Sequence, residues 1–207
     1  APNIHHINWI EPLSKEDIQD YARRMMQQIK HRGNIILIGV SFGGMMAIEL
    51  SKILRVEQVI IISSIKQKEE LPFLLKIAPY FPVYYLTTNK MRQAFRKVWG
   101  RFFGLFSQEA FEYFDDMFEK FSPKYKTWAV SRIANWQNET YPKNLVHIHG
   151  TKDKIFPIKK IAKTITIQDG THGMIVNKAE EISEYINKVL ANFVTNKMQH
   201  TANPSDH

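Results

Sequence analysis

Cysteine is absent from the 207 residues. This excludes a disulfide framework, thiol catalysis and thiolate metal sites, and leaves oxygen or nitrogen as the available nucleophile. No run of eighteen or more apolar residues occurs, so no membrane span is expected. The N-terminal region lacks the basic, apolar and small-residue segments of a secretory signal, and the expected location is the cytoplasm. Internal repeats and low-complexity tracts are also missing. Extremes of composition are absent too: with 44% hydrophobic and 23% charged residues the chain is neither disordered nor fibrous, and its length suits one domain with a sizeable core. Acidic residues are the scarcer charge, 20 against 28 lysines and arginines, for a net +8. That balance favours nucleic acid, an anionic membrane or an acidic protein as partner, but a solvated basic surface is the simpler reading and nucleic acid is not expected.

What is present is an alternation of strand-like and helix-like stretches. Ile4 to Ile10 reads as a strand, and Ser14 to Lys30 as a helix with Ser14 as N-cap, because Ile18, Tyr21, Ala22, Met25, Met26 and Ile29 recur at helical spacing. Asn34 to Gly39 is a second strand, Phe42 to Leu54 a second helix and Gln58 to Ser63 a third, wholly apolar strand. Leu145 to His149 and Thr164 to Gln168 are further strands, and a last helix is expected from Asn177 to Phe193. Continuous apolar strands separated by helices predict an α/β fold, a mostly parallel sheet covered by helices on both faces. Between Ile65 and Tyr141 the alternation stops, and the sequence turns aromatic and helical with Pro72, Pro79, Pro82 and Pro123, as an inserted helical cap would. The expected division is therefore a core in residues 1–64 and 142–194, a cap in 65–141 and a flexible tail in 195–207.

Gly39-Val40-Ser41-Phe42-Gly43-Gly44 stands between the second strand and the second helix. A serine on so sharp a turn needs a strained backbone and small neighbours, a demand that Gly39 and Gly43 meet. The turn lifts the Ser41 hydroxyl clear of the sheet, and the Phe42 N–H, at a helix N-terminus, can face a developing oxyanion. A nucleophilic serine needs a base, and the base needs a carboxylate to fix its tautomer. Asp153 in His149-Gly150-Thr151-Lys152-Asp153-Lys154-Ile155-Phe156-Pro157 and His172 in Asp169-Gly170-Thr171-His172-Gly173 each follow a strand, at the sheet edge that Ser41 would share. Asp169 competes with Asp153 as the carboxylate, but its closeness to His172 in sequence marks it as a turn residue, and Asp153 is preferred.

These three motifs, in the order Ser41, Asp153, His172 with an insertion between, resemble the α/β-hydrolase superfamily over nearly the whole chain. The resemblance implies a capped serine esterase-like enzyme in which Ser41 is nucleophile, His172 base and Asp153 acid, Phe42 supplies an oxyanion-hole N–H, and no cofactor is needed. It implies a carboxylic ester or thioester as substrate. Short relatives that cleave methyl esters of acyl chains carried on acyl carrier protein suggest an acidic carrier as a further partner. By the same resemblance the first strands, the first helix and the loop with a second oxyanion donor are expected to be missing ahead of Ile4, an N-terminally shortened fold. A non-catalytic binding protein on a decayed hydrolase scaffold is the competing expectation, and an exposed sheet edge would favour a homodimer.

Two other features draw notice. His5, His6, His147 and His149 lack the spacing of a zinc site, and no metal is expected. Lys90 to Phe103 carries five basic and no acidic side chains among aromatics. It suits an anionic surface, but the simpler reading has the aromatics closing a lipophilic pocket while the cations face water, with the acidic run Glu109, Glu112, Asp115, Asp116 and Glu119 offsetting part of the charge.

Overall fold

The apolar runs pair with one another because each is too hydrophobic to leave a face in water. In the computed structural model, which describes residues 4–30, 33–77 and 96–202, they form four parallel strands: β1 (Ile36–Val40), β2 (Gln58–Ile62), β3 (Leu145–Gly150) and β4 (Ile165–Ile167). Their order in the sheet is their order in the chain. Ile38 lies opposite Ile60, Ile61 opposite His147 and Gly150 opposite Ile167.

The two-residue period of the strands divides the core. Leu37, Val59 and Ile61 face one layer, shared with α1 (Ile18–Met26), α2 (Phe42–Ser51) and aromatics from beyond the sheet, while Ile60, Ile62, Ile148 and Ile167 face the other. Helices therefore cover both faces. Val59 to Ile62 are at most 1% exposed, and each such side chain contributes about 1.5–3 kcal/mol of burial free energy. α2 is apolar around most of its circumference, and its one acidic side chain, Glu49, is buried but satisfied by Trp136 Nε1 at 2.7 Å and Lys52 Nζ at 2.9 Å.

Three elements depart from the sequence reading. Ile4 to Ile10 is not a strand, because its backbone groups are taken by side chains of the α1 region. Tyr21 Oη accepts from Ile10 N–H and donates to Ile10 O, and the Gln28 amide brackets Asn8 N–H and O. The segment lies on α1 without a ladder. α1 itself starts three residues later than Ser14 predicts: Lys15 has φ 58°, and Asp17 is the N-cap, accepting from Asp20 N–H at 2.7 Å. The last helix runs past Phe193, as Ala179–Ala202, since no glycine or proline interrupts the sequence there.

Between β2 and β3 the described residues form a 3₁₀ turn (Lys68–Glu70) and helices α3 (Phe73–Ile77), α4 (Arg96–Phe103), α5 (Gln108–Glu119) and α6 (Pro123–Ala134), with no strand. Residues 78–95, with Pro79, Pro82 and the first half of the basic stretch, lie outside the described residues. After β4 come the short α7 (Met174–Asn177) and α8 (Ala179–Ala202). No helix among the described residues is long and apolar enough to cross a membrane.

Candidate active site

The three loops that leave the carboxyl ends of β1, β3 and β4 carry Ser41, Asp153 and His172. Ser41 adopts φ 53° and ψ −121°, a conformation that costs a non-glycine residue about 1–3 kcal/mol. The surroundings fix it: Ser41 N–H extends the ladder to Ile62 O at 2.9 Å, and the Ser41 carbonyl accepts from Gly44 N–H at 2.9 Å and Ser64 Oγ at 2.7 Å.

The need for small neighbours is met differently from the sequence reading. A Cβ on Gly39 would run into the Gly43 carbonyl, and one on Gly44 would come within 2.5 Å of Ser64 Oγ. A Cβ on Gly43 would meet only the Trp9 ring, at 3.8 Å. The tight pair is Gly39 and Gly44, because Gly43 points its missing side chain toward the aromatic layer while Gly44 lies on β2.

The side chains form one hydrogen-bonded line. Ser41 Oγ is 2.9 Å from His172 Nε2, and His172 Nδ1 is 2.9 Å from Asp153 Oδ2. Asp153 Oδ1 accepts from the N–H groups of Ile155 and Phe156, both at 2.8 Å, so the buried carboxylate spends both oxygens on donors. With Nδ1–H donated to Asp153, His172 presents Nε2 to the serine hydroxyl as an acceptor, the arrangement needed to remove its proton. Asp169, the competing carboxylate, sits at φ 58° in a turn and pairs with exposed Lys152 at 2.9 Å. The acid and base loops are held edge to edge where Lys152 N–H donates to Gly170 O at 2.8 Å, and a Cβ on Gly150 would collide with that carbonyl.

Phe42, the first residue of α2, has an N–H that no intrahelical acceptor can reach. Its ring is stacked on Trp9 (centroids 5.4 Å, 12°) and meets Trp128 edge-on (5.8 Å, 74°). The Phe103 and Phe156 rings stand edge-on to His172 at 5.6 Å and 5.4 Å. None of these aromatic contacts was predicted from sequence. Phe156 could have been found within the acid motif, whereas Phe103 lies 69 positions from His172 in a stretch whose charge, rather than its rings, stands out.

His147 and His149 are almost fully buried within β3, and His147 Nε2 is 3.1 Å from His149 Nδ1. Burial pushes His147 down to about 2, helped by His149 and Lys66, with the Ser64 backbone pulling weakly the other way. Burial also lowers His149, against the opposing field of Asp153. Both are therefore neutral imidazoles.

The model of the Alpha/beta hydrolase family matches residues 6–184. No curated protein matches the chain. Among solved structures, a thermophilic esterase from Thermogutta terrifontis superposes with TM-score 0.68 at 15% identity, covering 89% of this chain and 75% of the esterase. A bromoperoxidase from Bacillus anthracis gives 0.63 at 20% identity, covering 88% and 77%. A meta-cleavage product hydrolase from Pseudomonas fluorescens gives 0.59 at 15%, covering 86% and 73%. At these identities the superpositions establish a shared fold, and the named activities belong to those proteins.

Proposed function

The chain belongs to the alpha/beta hydrolase family, and from that premise we propose that it is a serine hydrolase acting on a carboxylic ester or thioester. The observation that carries this reading is the continuous line from Ser41 Oγ through His172 to Asp153, with each link at 2.9 Å. In acylation Ser41 Oγ forms a bond to the substrate carbonyl carbon while its proton passes to His172 Nε2. The carbonyl oxygen becomes an oxyanion, met by the Phe42 N–H at the start of α2. Collapse breaks the bond to the alcohol or thiol, which leaves with the proton from His172. Water, deprotonated by the same nitrogen, then releases the acid and regenerates Ser41. Asp153 holds His172 in place and stabilises it while it is charged. The helices inserted between β2 and β3 act as the cap in this reading, with Phe103 as its contact with His172.

Labelling with a fluorophosphonate probe and hydrolysis of a short p-nitrophenyl ester test the proposal. Wild-type protein is expected to react at Ser41, and Ser41→Ala and His172→Ala to lose labelling and about a thousandfold or more of turnover. A well-folded wild-type protein that neither labels nor hydrolyses the ester overturns the enzyme reading in favour of a binding protein on a hydrolase scaffold.

A further inference from the structure

Beside Asp153, within reach of the same carboxylate oxygen that His172 uses, the sheet buries a second imidazole that the hydrolytic steps do not use. His149 Nε2 is 2.8 Å from the Phe156 carbonyl and 3.6 Å from Asp153 Oδ2, and the His149 side chain is wholly buried. A carbonyl only accepts, so Nε2 carries the proton. His149 is neutral, which leaves its Nδ1 as an acceptor for the Nε2–H of His147 at 3.1 Å. The far nitrogen of His147, Nδ1, has no partner within hydrogen-bond geometry, and the Ser64 backbone nearby favours the protonated ring only weakly. Burial keeps both rings neutral, and Lys66, itself buried and paired with Glu70 and the Ala162 carbonyl, adds a smaller effect in the same direction. The two histidines thus form a directed line that ends with one N–H aimed at the acid loop.

The location of that N–H gives it a consequence. Phe156 supplies its own N–H to Asp153 Oδ1 and its carbonyl to His149 Nε2. The loop that cradles the carboxylate is tied back to β3 at the same residue that does the cradling. We propose that His149 is a positioning residue for the Ser41, His172 and Asp153 line, its Nε2–H holding the Phe156 carbonyl and thereby the loop that aims Asp153 Oδ2 at His172. His147 sets the tautomer that puts the proton on the correct nitrogen. The inference rests on the hydrolase reading for its kinetic consequence, while its structural consequence is independent of any activity.

Two measurements on the full chain test it. The first is the low-field proton resonance of His172 Nδ1–H, assigned by its disappearance in His172→Ala. His149→Gln places an amide N–H where Nε2 was and is expected to keep the resonance. His149→Asn, too short to reach Phe156, and His149→Leu are expected to lose it or to exchange it at least about tenfold faster. The second is turnover of the p-nitrophenyl ester: kcat is expected to fall about 10- to 100-fold in the Asn and Leu variants with KM unchanged, to recover in the Gln variant, and to fall less in His147→Phe. A folded His149→Leu that keeps both the resonance and wild-type kcat overturns the proposal. If the leucine variant does not fold, equal behaviour of the Gln and Asn variants overturns it. Should the wild type show the resonance but no reaction with ester or probe, the hydrolase reading fails, and the resonance alone decides the role of His149.

Discussion

At the scale of single residues, the elbow around Ser41 separates two glycines that the motif treats alike. Gly39 lies beneath the Gly43 carbonyl and has no room for a methyl group, whereas Gly43 is helical and faces the Trp9 ring at an ordinary contact distance. Gly39→Ala is therefore expected to destabilise the protein by about 3 kcal/mol, through overpacking against a backbone that is itself pinned. Gly43→Ala is expected to change stability by less than about 1 kcal/mol, since helix propensity favours alanine. Urea unfolding of the two variants measures both, and a Gly39→Ala protein of wild-type stability would contradict the geometry. The three side chains of the candidate site were nameable from sequence because each stands in a short motif just past a strand. The partners of those side chains were not: Ser64 under the Ser41 carbonyl, Phe103 against His172 and His149 beside Asp153 are brought in by tertiary packing.

At the scale of elements, four of the five expected strands form and the first, Ile4 to Ile10, does not. A short apolar run is stabilised chiefly by burial, which places β2 and β3 within one residue of the sequence reading and β1 within two. In the segment from Ile4 to Ile10, His5, His6 and Asn8 interrupt the apolar residues, and the backbone groups of Asn8 and Ile10 are met by Gln28 and Tyr21. The stretch that follows it is held by α6, whose Trp128 Nε1 donates to Glu16 O at 2.7 Å and whose capping Ser122 donates to the Glu11 carboxylate. The junction between α4 and α5 is fastened to the His172 loop in a comparable way. Gly173 N–H donates to Phe103 O at 2.7 Å, and Asn177 Nδ2 to Gly104 O at 2.8 Å. Gly104 has φ 74°, and a Cβ there would run into Thr171. Gly104→Ala is expected to lift this junction from the loop, and exchange of the Gly173 amide hydrogen should quicken at least about tenfold. Unchanged protection of that amide would show that the junction does not depend on the close approach.

At the scale of the whole molecule, the two buried histidines of β3 tie stability to pH. His147 lies at about 2 in the fold against 6.5 for an unperturbed side chain. Between those values the unfolded chain binds a proton that the folded chain does not, so the stabilisation is complete above the unfolded value and is lost as pH falls below it. His149 is lowered as well and acts in the same direction. Stability in urea should therefore decline below about pH 6.5, by about 1.4 kcal/mol per pH unit for each histidine that stays neutral in the fold. His147→Phe is expected to flatten that decline, and an equal slope in wild type and variant would show that the burial of this imidazole is not what sets it.

The amino-acid sequence by itself determined the class of fold and the candidate line of Ser41, His172 and Asp153. Apolar period and motif position are local properties, written within stretches of ten residues. Only the tertiary structure decided which small residues the elbow requires, that Asp153 rather than Asp169 reaches His172, and that a second histidine stands beside the carboxylate. The reason is physical: the approach of Gly44 to Ser64, the pairing of Asp169 with Lys152 and the line from His147 to Phe156 depend on how separate strands and loops are set side by side. Such distances arise from packing across the sheet, which no single stretch of sequence contains.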